Sequence, residues 1–460
     1  MSLGWKMEMS SPPFPHPRLT MKSTCSSCPV ADVICRTTEL GLTIEGAFID
    51  EGDVTVIQAR PVEVLPFCPA CGAEGVLRDH VTRVLTDLPV AGHPSRLHVR
   101  LPRYRCLGTQ CQTMIFQHRL ECADVGAKTT SRCTRWILQK LATAKMSVTA
   151  VADELGLGWD LVNHLALSSV RTLVYDNPVH LEGVRVLGVD EHCWSHVRGR
   201  GKETYATILV DLTPVIDGTG PSRLVDVRPG RSKKVLATWL KERTQAFREN
   251  IEVVTMDGFA GYHSATVAEL PEAVPVMDPF HVVQLAGEKV TACRQRLQHA
   301  TTGHRGRKDD PLYKVRKTLL TRRQFLTDRQ HLQVANLWTH HDDHVGLQVT
   351  YMVYQDIIDA YSHPKRSAGK KLMKKVMDTI RNGLPTGLEE LAQLGRTLWH
   401  KRTQVLAFFD HGGASNGPVE AVNGRLEHLR GIALGFRNFD HYVLRCLIHS
   451  GQLTKRINAL

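Results

Sequence analysis

The chain has 460 residues, of which 42% are hydrophobic and 23% are charged, and its formal net charge is +12. This length exceeds one ordinary domain, and the composition is that of a folded globular protein rather than a disordered or fibrous one. The cationic excess favours a polyanionic partner, and we expect nucleic acid rather than a membrane, because no basic amphipathic anchor and no membrane-length apolar run stand out.

The N-terminal stretch carries prolines but no signal-peptide pattern, which predicts a disordered leader over residues 1–40 and a cytoplasmic protein. In that compartment the 12 cysteines favour a metal site or buried thiols over disulfides. One pair, Cys25 and Cys28, has no convincing partner pair, so its role stays open.

Four cysteines predict a zinc-ribbon-like domain over residues 41–125. Two residues lie between Cys68 and Cys71, and four lie between Cys106 and Cys111, which suits one structural zinc ion held by four thiolates. Alternating stretches between the two pairs read as strands. The alternative is that all four are ordinary buried thiols.

Residues 126–178 have the pattern of a helix-turn-helix DNA-binding domain. A capped helix begins near Thr130, and a second helix ends at Gly156, a residue suited to a left-handed turn. The recognition helix would follow, with Trp159, Asn163 and His164 as candidate DNA contacts. A plain helical hairpin would leave a similar pattern.

The next segment alternates strands and helices. Val184–Glu191, two further strand-like runs, a helix over Ser232–Phe247, a fourth strand ending at Met256 and a fifth ending at Met277 follow one another. This order predicts an α/β domain with the ribonuclease-H-like arrangement, formed by residues 179–282 and 412–460, in which the first and fourth strands are neighbours.

Acidic residues at the ends of those strands predict a metal site. Asp190 and Asp257 would stand side by side, and their mutual repulsion would be relieved by shared divalent cations. Glu191 would point to the opposite face. The alternative is that Asp190 has no functional role and is the first polar residue of a surface turn.

A helix start later in the chain supplies a third carboxylate, Glu420. Asn416 is the predicted cap of this helix, Asn423 shares a face with Glu420, and an acidic residue in a first turn can also serve the helix dipole alone. Asp278 and His281, after the fifth strand, lie close enough to assist the site.

Residues 283–411 predict a helical insertion domain between the two parts of the α/β domain. Its basic runs over residues 304–323 and 365–375 are either solvated helix faces or phosphate contacts. Trp338 and Trp399 are expected in its core, with a wedge against DNA as the alternative.

Taken together, the chain resembles the DDE transposases of the ISL3 insertion-sequence family. The motifs that carry this resemblance are Gly188-Val189-Asp190-Glu191, Asp257-Gly258, Asp278-Pro279-Phe280-His281-Val282-Val283-Gln284, Ser415-Asn416-Gly417-Pro418-Val419-Glu420-Ala421-Val422-Asn423 and Arg430-Gly431-Ile432-Ala433-Leu434-Gly435-Phe436-Arg437-Asn438-Phe439. They run in the family's order, together with the preceding zinc ribbon.

The resemblance implies that Asp190, Asp257 and Glu420 are an acidic catalytic triad holding two Mg²⁺ or Mn²⁺ ions. It implies that the zinc ribbon and the helix-turn-helix bind double-stranded DNA at the terminal inverted repeats. Three arginines are candidate clamps on the DNA backbone, namely Arg425, Arg430 and Arg437.

The function expected from this resemblance is DNA cleavage followed by strand transfer into target DNA. Because two element ends must be brought together, we expect a homodimer in the synaptic complex, associated with the nucleoid through DNA and with no membrane. Two rivals stay open: a DNA-binding regulator with a vestigial catalytic domain, and a structure-specific nuclease such as a junction resolvase.

Overall fold

The computed structural model describes residues 23–24, 29–196, 204–304, 306–340 and 342–460, so the pair Cys25 and Cys28 lies outside the described residues. The chain divides into two compact units, Met1–Ala166 with Arg456–Leu460, and Leu167–Lys455. The finer division into five segments stays a prediction. Among the helices of the described ranges, none is long and apolar enough to cross a membrane.

A six-stranded mixed sheet dominates the first unit. Its strands are β1 (Ser23–Thr24), β2 (Leu42–Ile49), β3 (Thr55–Pro61), β4 (Gly75–Val90), β5 (His93–Cys106) and β6 (Ile115–Gln117). The order is β1-β2-β3-β5-β4 with β6 beside β5, and β3 runs parallel to β5. Within β5, Leu97, Val99 and Leu101 are buried and alternate with polar side chains, so one face forms the core.

The helices of this part of the chain are α1 (Pro29–Cys35), α2 (Ser131–Ala142), α3 (Val148–Leu155) and α4 (Trp159–Val174). The Thr130 hydroxyl accepts a hydrogen bond from the Cys133 N–H, and the Ser147 hydroxyl accepts one from the Ala150 N–H, so both caps are local. Gly156 ends α3 at φ 57°. The predicted helix, turn and helix around Gly156 are therefore confirmed as secondary structure.

The predicted disordered leader over residues 1–40 is wrong for residues 29–40. Asp32 on α1 is 5% exposed, and its carboxylate accepts hydrogen bonds from the Thr37 and Thr43 hydroxyls (2.6 and 2.8 Å) and the Ile44 N–H (2.8 Å). A buried carboxylate with three donors ties this segment to β2. The proline signal that motivated the leader ends well before Asp32.

A five-stranded sheet forms the centre of the second unit. Its strands are β7 (Val186–Cys193), β8 (Tyr205–Asp211), β9 (Arg223–Pro229), β10 (Val253–Met256) and β11 (Val274–Met277), in the order β11-β10-β7-β8-β9. β7, β8 and β9 are antiparallel, whereas β10 runs parallel to both β7 and β11. The five predicted strands and the pairing of the first with the fourth are confirmed. β7 also continues past Asp190, which excludes the surface-turn alternative.

Short helices cover this sheet, namely α5 (Thr213–Ile216), α6 (Lys233–Lys241), α7 (Gln245–Asn250) and α8 (Ala260–Glu269). The single helix predicted over Ser232–Phe247 is two helices, because the Thr244 hydroxyl accepts a hydrogen bond from the Phe247 N–H and starts α7 anew. Trp239 and Tyr262 are fully buried in the core beneath the sheet.

The insertion is helical, as predicted. Its helices are α9 (Pro279–Thr302), α10 (Pro311–Lys314), α11 (Asp328–His340), α12 (Val345–Ser362), α13 (Arg366–Arg381), α14 (Glu389–His400) and α15 (Arg402–Asp410). They share one apolar core, against which Trp338 packs. α9 begins directly after Asp278, earlier than the predicted start at residue 283. The chain ends with α16 (Gly417–Ile432), α17 (Phe439–Ser450) and α18 (Thr454–Asn458).

Candidate functional site

The parallel strands of the second unit bring acidic residues into one row. Thr255 pairs with Gly188, so continuing this register by two residues places Asp257 opposite Asp190. Likewise Met256 pairs with Met277, and Asp257 and Asp278 follow directly after these two paired residues. Three aspartates therefore lie side by side, Asp190 within β7 and Asp257 and Asp278 just after the ends of β10 and β11.

Asp190 is the buried member of this row. It is 6% exposed, and its carboxylate accepts hydrogen bonds from the Glu191 N–H (2.8 Å) and from Nδ2 of Asn423 (3.1 Å). Burial raises the pKa of Asp190 to about 7, and the charges of Glu420 and Asp257 act in the same direction. A cation beside this carboxyl would favour its ionised form.

Glu420 reaches the row from the first turn of α16 and is exposed. Its neighbour Val419 packs against Gly188 in β7, where a Cβ atom would lie 2.5 Å from Cγ2 of Val419. The glycine therefore permits a close approach of α16 to β7. Together with the Asn423 contact, this packing brings the first turn of α16 next to Asp190.

Asn416, just before α16, links this helix to the sheet through buried hydrogen bonds. It is fully buried, its Nδ2 donates to the Val189 carbonyl (3.0 Å), and its Oδ1 accepts from the Thr255 hydroxyl (2.5 Å). Its backbone N–H donates to Oδ1 of Asp278 (2.7 Å). We call Asn416, Thr255 and Asp278 the Asn416 clasp, since Asp278 and Asn416 stand on either side of the helical insertion.

The predicted side-chain cap of α16 is wrong, because the Asn416 side chain makes no cap hydrogen bond and bonds to β7 and β10 instead. The role of Thr255 was missed, since an isolated threonine within an apolar strand carries no signal of its own. Both assignments depend on which strand the helix start meets, which only the packed structure determines.

The two predicted auxiliary residues after β11 adjoin the row. Asp278 is 1% exposed, and its carboxylate also accepts from the Phe280 N–H (3.1 Å) at the start of α9. Nδ1 of His281 lies 3.4 Å from Oδ2 of Asp278, and this contact raises the pKa of His281. Asp278 is thus occupied by protein donors, while His281 is half-buried beside Asp257 and Asp190.

Lys401, between α14 and α15, was missed by the sequence reasoning. Its Nζ donates to the carbonyl of Gly258, the residue after Asp257. Burial lowers the pKa of Lys401, and the Asp257 carboxylate acts against that shift. A lysine more than 140 positions from its acidic neighbour leaves no local sequence signal.

The row fits a hard divalent cation in its donor chemistry, since carboxylate oxygens are the ligands that Mg²⁺ and Mn²⁺ prefer. In the described part of the chain, Asp190, Asp257 and Glu420 do not form a group whose ligand atoms all lie within 4.8 Å of one another. Three like charges held apart in this way would be drawn together by a cation.

The predicted DNA contacts near the start of α4 differ in accessibility. Trp159 is 48% exposed and His164 is exposed, whereas Asn163 is only 7% exposed. Asn163 therefore faces the protein interior, and the prediction that it contacts DNA is not supported by its position.

The three predicted arginine clamps also differ. Arg425 is half-buried, and its Nε and Nη2 have no hydrogen-bond partner among the described residues. Arg430 is paired with Glu427, which offsets its charge. Arg437 is exposed.

A second candidate metal site lies in the first unit, where the four predicted cysteines converge. The sulfur atoms of Cys68, Cys71, Cys106 and Cys111 all lie within 4.8 Å of one another, with Sγ–Sγ distances of 3.8 Å for Cys68–Cys111 and 3.5 Å for Cys71–Cys106. Burial raises the pKa of Cys68, but hydrogen bonds from the Ala70 and Cys71 N–H groups outweigh it and lower the pKa to about 7. Four converging thiols fit a tetrahedral zinc ion.

Gly108 makes room for this cluster. A Cβ atom there would lie 3.0 Å from Sγ of Cys71 and 3.1 Å from Cβ of Cys111, and the Gly108 N–H points at Sγ of Cys106 (3.3 Å). Gly108 is a supporting residue that the cysteine spacing alone does not reveal.

We expect Gly108→Ala to lower zinc affinity by about tenfold or more, the scale on which residues behind metal ligands act. Competition with a chromophoric chelator measures the change. Gly158→Ala is the matched control, because a Cβ atom there meets nothing within 4 Å. Equal zinc affinity of the two variants would contradict the supporting role of Gly108.

Comparison with known proteins matches both sites. The ISL3 DDE transposase family, described as "Transposase", matches residues 187–446, and the zinc-finger family of the IS204/IS1001/IS1096/IS1165 transposases matches residues 65–111. The first match includes all of Asp190, Asp257 and Glu420, and the second includes all four cysteines.

Individual relatives are more distant. The chain is 24% identical over 397 residues to the transposase of insertion sequence element IS1001 from Bordetella parapertussis, covering 86% of this chain and 91% of that protein. It is 24% identical over 315 residues to the transposase of insertion sequence element IS1557 from Mycobacterium tuberculosis, covering 64% of this chain and 66% of that protein. A solved structure of the Drosophila P element transposase strand transfer complex aligns at 10% identity and a TM-score of 0.39, covering 71% of this chain and 92% of that chain.

The match to the transposase family spans more than half of the chain, and the zinc-finger match adds the preceding four-cysteine module. The protein therefore belongs to the ISL3 family of DDE transposases.

Proposed function

We propose that this transposase binds the terminal inverted repeats of its insertion sequence and catalyses DNA cleavage and strand transfer with Asp190, Asp257 and Glu420 as catalytic residues. The observation that carries the proposal is the shared register of Asp190 and Asp257, to which α16 is held by Asn416 and Asn423. This arrangement supports a site in which a bound cation would draw the three carboxylates together.

The strand order supports a ribonuclease-H-like catalytic domain split by the helical insertion. Three antiparallel strands followed by two parallel ones, with the first and fourth adjacent, fit that architecture. The Asn416 clasp explains how a large insertion can sit between Asp278 and α16 without displacing Glu420.

Asp190, Asp257 and Glu420 would hold two Mg²⁺ or Mn²⁺ ions, which activate the attacking oxygen and neutralise charge on the phosphate when bound. Asn423 orients the Asp190 carboxylate through its hydrogen bond. Gly258 and the half-buried His281 border the space in which a phosphodiester would lie.

In the proposed cleavage step, a water oxygen forms a bond to phosphorus and the bond from phosphorus to the 3′ oxygen breaks, leaving a 3′-OH at the element end. In the transfer step, that 3′-OH attacks a phosphorus of target DNA and displaces the target's own 3′ oxygen. Neither step needs a covalent intermediate with the protein.

DNA recognition is assigned to the zinc ribbon and to α3 and α4 as a helix-turn-helix. Trp159 and His164 are exposed on α4 and accessible to a groove, and Arg425 and Arg437 are the stronger candidates for backbone contacts. A homodimer that pairs two element ends, and a cytoplasmic location on nucleoid DNA, stay predictions of this function.

The decisive experiment incubates the protein with a linear duplex that carries the inverted termini flanking its coding sequence, together with a supercoiled plasmid, in Mg²⁺ or in EDTA. We expect Mg²⁺-dependent 3′ ends at the termini and their joining to the plasmid. Cleavage without joining would favour a structure-specific nuclease. Specific binding without cleavage in Mg²⁺ or Mn²⁺ would favour a DNA-binding regulator.

A further inference from the structure

Four residues of the insertion form a cationic surface beside the acidic row. We call Arg381, Trp399, Lys401 and Arg402 the Trp399 surface. Arg381 ends α13, Arg402 begins α15, and their guanidinium carbons lie over the Trp399 ring at 3.7 and 5.0 Å from its centroid. Arg402 also donates to the Trp399 carbonyl (3.2 Å).

The two arginines of this surface have no ion-pair partner among the described residues. Within the described ranges, neither arginine nor Lys401 forms an ion pair with an acidic side chain, and both arginines are exposed. Three other cations of the insertion are paired: Arg296 with Glu389 and Glu390, Arg323 with Asp359, and Lys370 with Asp410. An uncompensated cluster of this kind attracts polyanions.

The indole holds the two guanidinium groups in place before any ligand arrives. Stacking on an aromatic ring restricts arginine rotamers, so less conformational entropy is lost when a ligand binds. The planar guanidinium group matches the paired oxygens of a phosphate. The ring itself is covered by these groups, so Trp399 serves as their support rather than as a wedge against DNA.

The position of the surface connects it to catalysis. Lys401 precedes Arg402 in sequence and donates to the carbonyl of Gly258, directly after Asp257. A Cβ atom on Gly258 would lie 3.3 Å from Nζ of Lys401, so the lysine is packed closely against this turn. A phosphate on the surface would therefore belong to DNA that lies across the acidic row.

We propose that the Trp399 surface binds the phosphodiester backbone of the DNA held in the active site, with Arg381 and Arg402 as its phosphate contacts. The proposal rests on the proposed function, because it assumes that DNA occupies the acidic row. It assigns to the insertion a direct part in positioning the DNA next to Asp257.

The test measures the affinity for the terminal-repeat duplex over a range of salt concentrations, without divalent cations, so that cleavage plays no part. For Arg381→Ala/Arg402→Ala we expect the slope of log K against log salt to fall by about 1.8, or about 0.9 for each lost phosphate contact. The matched control Arg307→Ala/Arg329→Ala removes two other exposed arginines of the insertion. Its salt slope should fall by less than that of Arg381→Ala/Arg402→Ala.

A second variant separates charge from preorganisation. Trp399→Leu retains both arginines but frees them, so we expect an unchanged salt slope with an affinity about fivefold lower or more. Ethylation interference should locate the lost contacts at phosphates adjoining the cleaved bond. Thermal unfolding of each variant checks that the fold is kept.

Wild-type slopes in the Arg381/Arg402 variant, or an equal loss in the control, would overturn the assignment. If the wild-type protein still cleaves in Mg²⁺ and Asp190→Asn does not, the proposed function stands and only the Trp399 surface is wrong. Failure of the wild-type protein to bind or cleave the terminal repeats would overturn both proposals.

Discussion

Asp190→Asn is expected to reduce Mg²⁺-dependent cleavage of the terminal repeats by at least about 10³-fold, equal to about 4 kcal/mol of transition-state stabilisation. The substitution keeps the shape of the side chain and an oxygen that can accept the Asn423 hydrogen bond, but it removes the charge that would bind a cation. Affinity for the repeats should change little, because Asp190 is buried.

Glu191→Gln is the matched control for this variant. Glu191 is the next residue of β7, and it pairs with Arg231 (3.0 Å). The same loss of one carboxylate charge should leave cleavage within severalfold of the wild type. If Asp190→Asn cleaved as well as Glu191→Gln, and both stayed within severalfold of the wild type, Asp190 would have no catalytic role.

Asp190→Asn should also change how the stability of the protein depends on pH. The pKa of Asp190 is about 7 in the folded protein, above the ordinary value of 3.8, so unfolding releases a proton between these values. Without metal, stability should therefore fall as pH rises from about 4 to 7, and less steeply in Asp190→Asn. Thermal unfolding in EDTA at several pH values measures this difference.

Asn416→Asp is expected to lower cleavage by about 10²-fold, on the scale of residues that orient metal ligands. The change is nearly isosteric, but it places a carboxylate oxygen against the Val189 carbonyl and a buried charge close to Asp278. The start of α16, and with it Glu420, should then lose its fixed position. Hydrogen exchange of the α16 amides should increase in the variant.

Asn250→Asp provides the control for Asn416→Asp. The Asn250 amide donates to the Val184 carbonyl (2.9 Å), just before β7 begins and at the opposite end of that strand from Asp190. It should leave cleavage and α16 exchange unchanged. Thr255→Val removes one bond of the Asn416 clasp and should give an intermediate loss. Full cleavage by Asn416→Asp would rule out the positioning role.

Local sequence patterns were sufficient to predict most helices and strands of the fold. The apolar run before Asp190, the cysteine spacing and the cap at Thr130 each depend on residues a few positions apart, and hydrophobic period, turn chemistry and metal-ligand spacing act at that range. The five strands of the second unit, the strands between the two cysteine pairs and the four-cysteine cluster followed from them. The pairing of the first and fourth strands followed from the order of elements.

Contacts between distant segments required the tertiary structure. The Asn416 side chain bonds to strands 161 and 227 positions away, and Lys401 bonds to Gly258 143 positions away. Burial of Asn163 depends on what packs against α4, and the break before Gln245 depends on the competition between helix continuation and the Thr244 cap.

By itself, then, the sequence determined most of the elements, the four cysteines that converge and the acidic residues that the ISL3 resemblance implies. Only the tertiary structure decided which polar groups hold those residues in place, because a buried hydrogen bond is formed with whichever partner the packing brings near, whatever its distance along the chain.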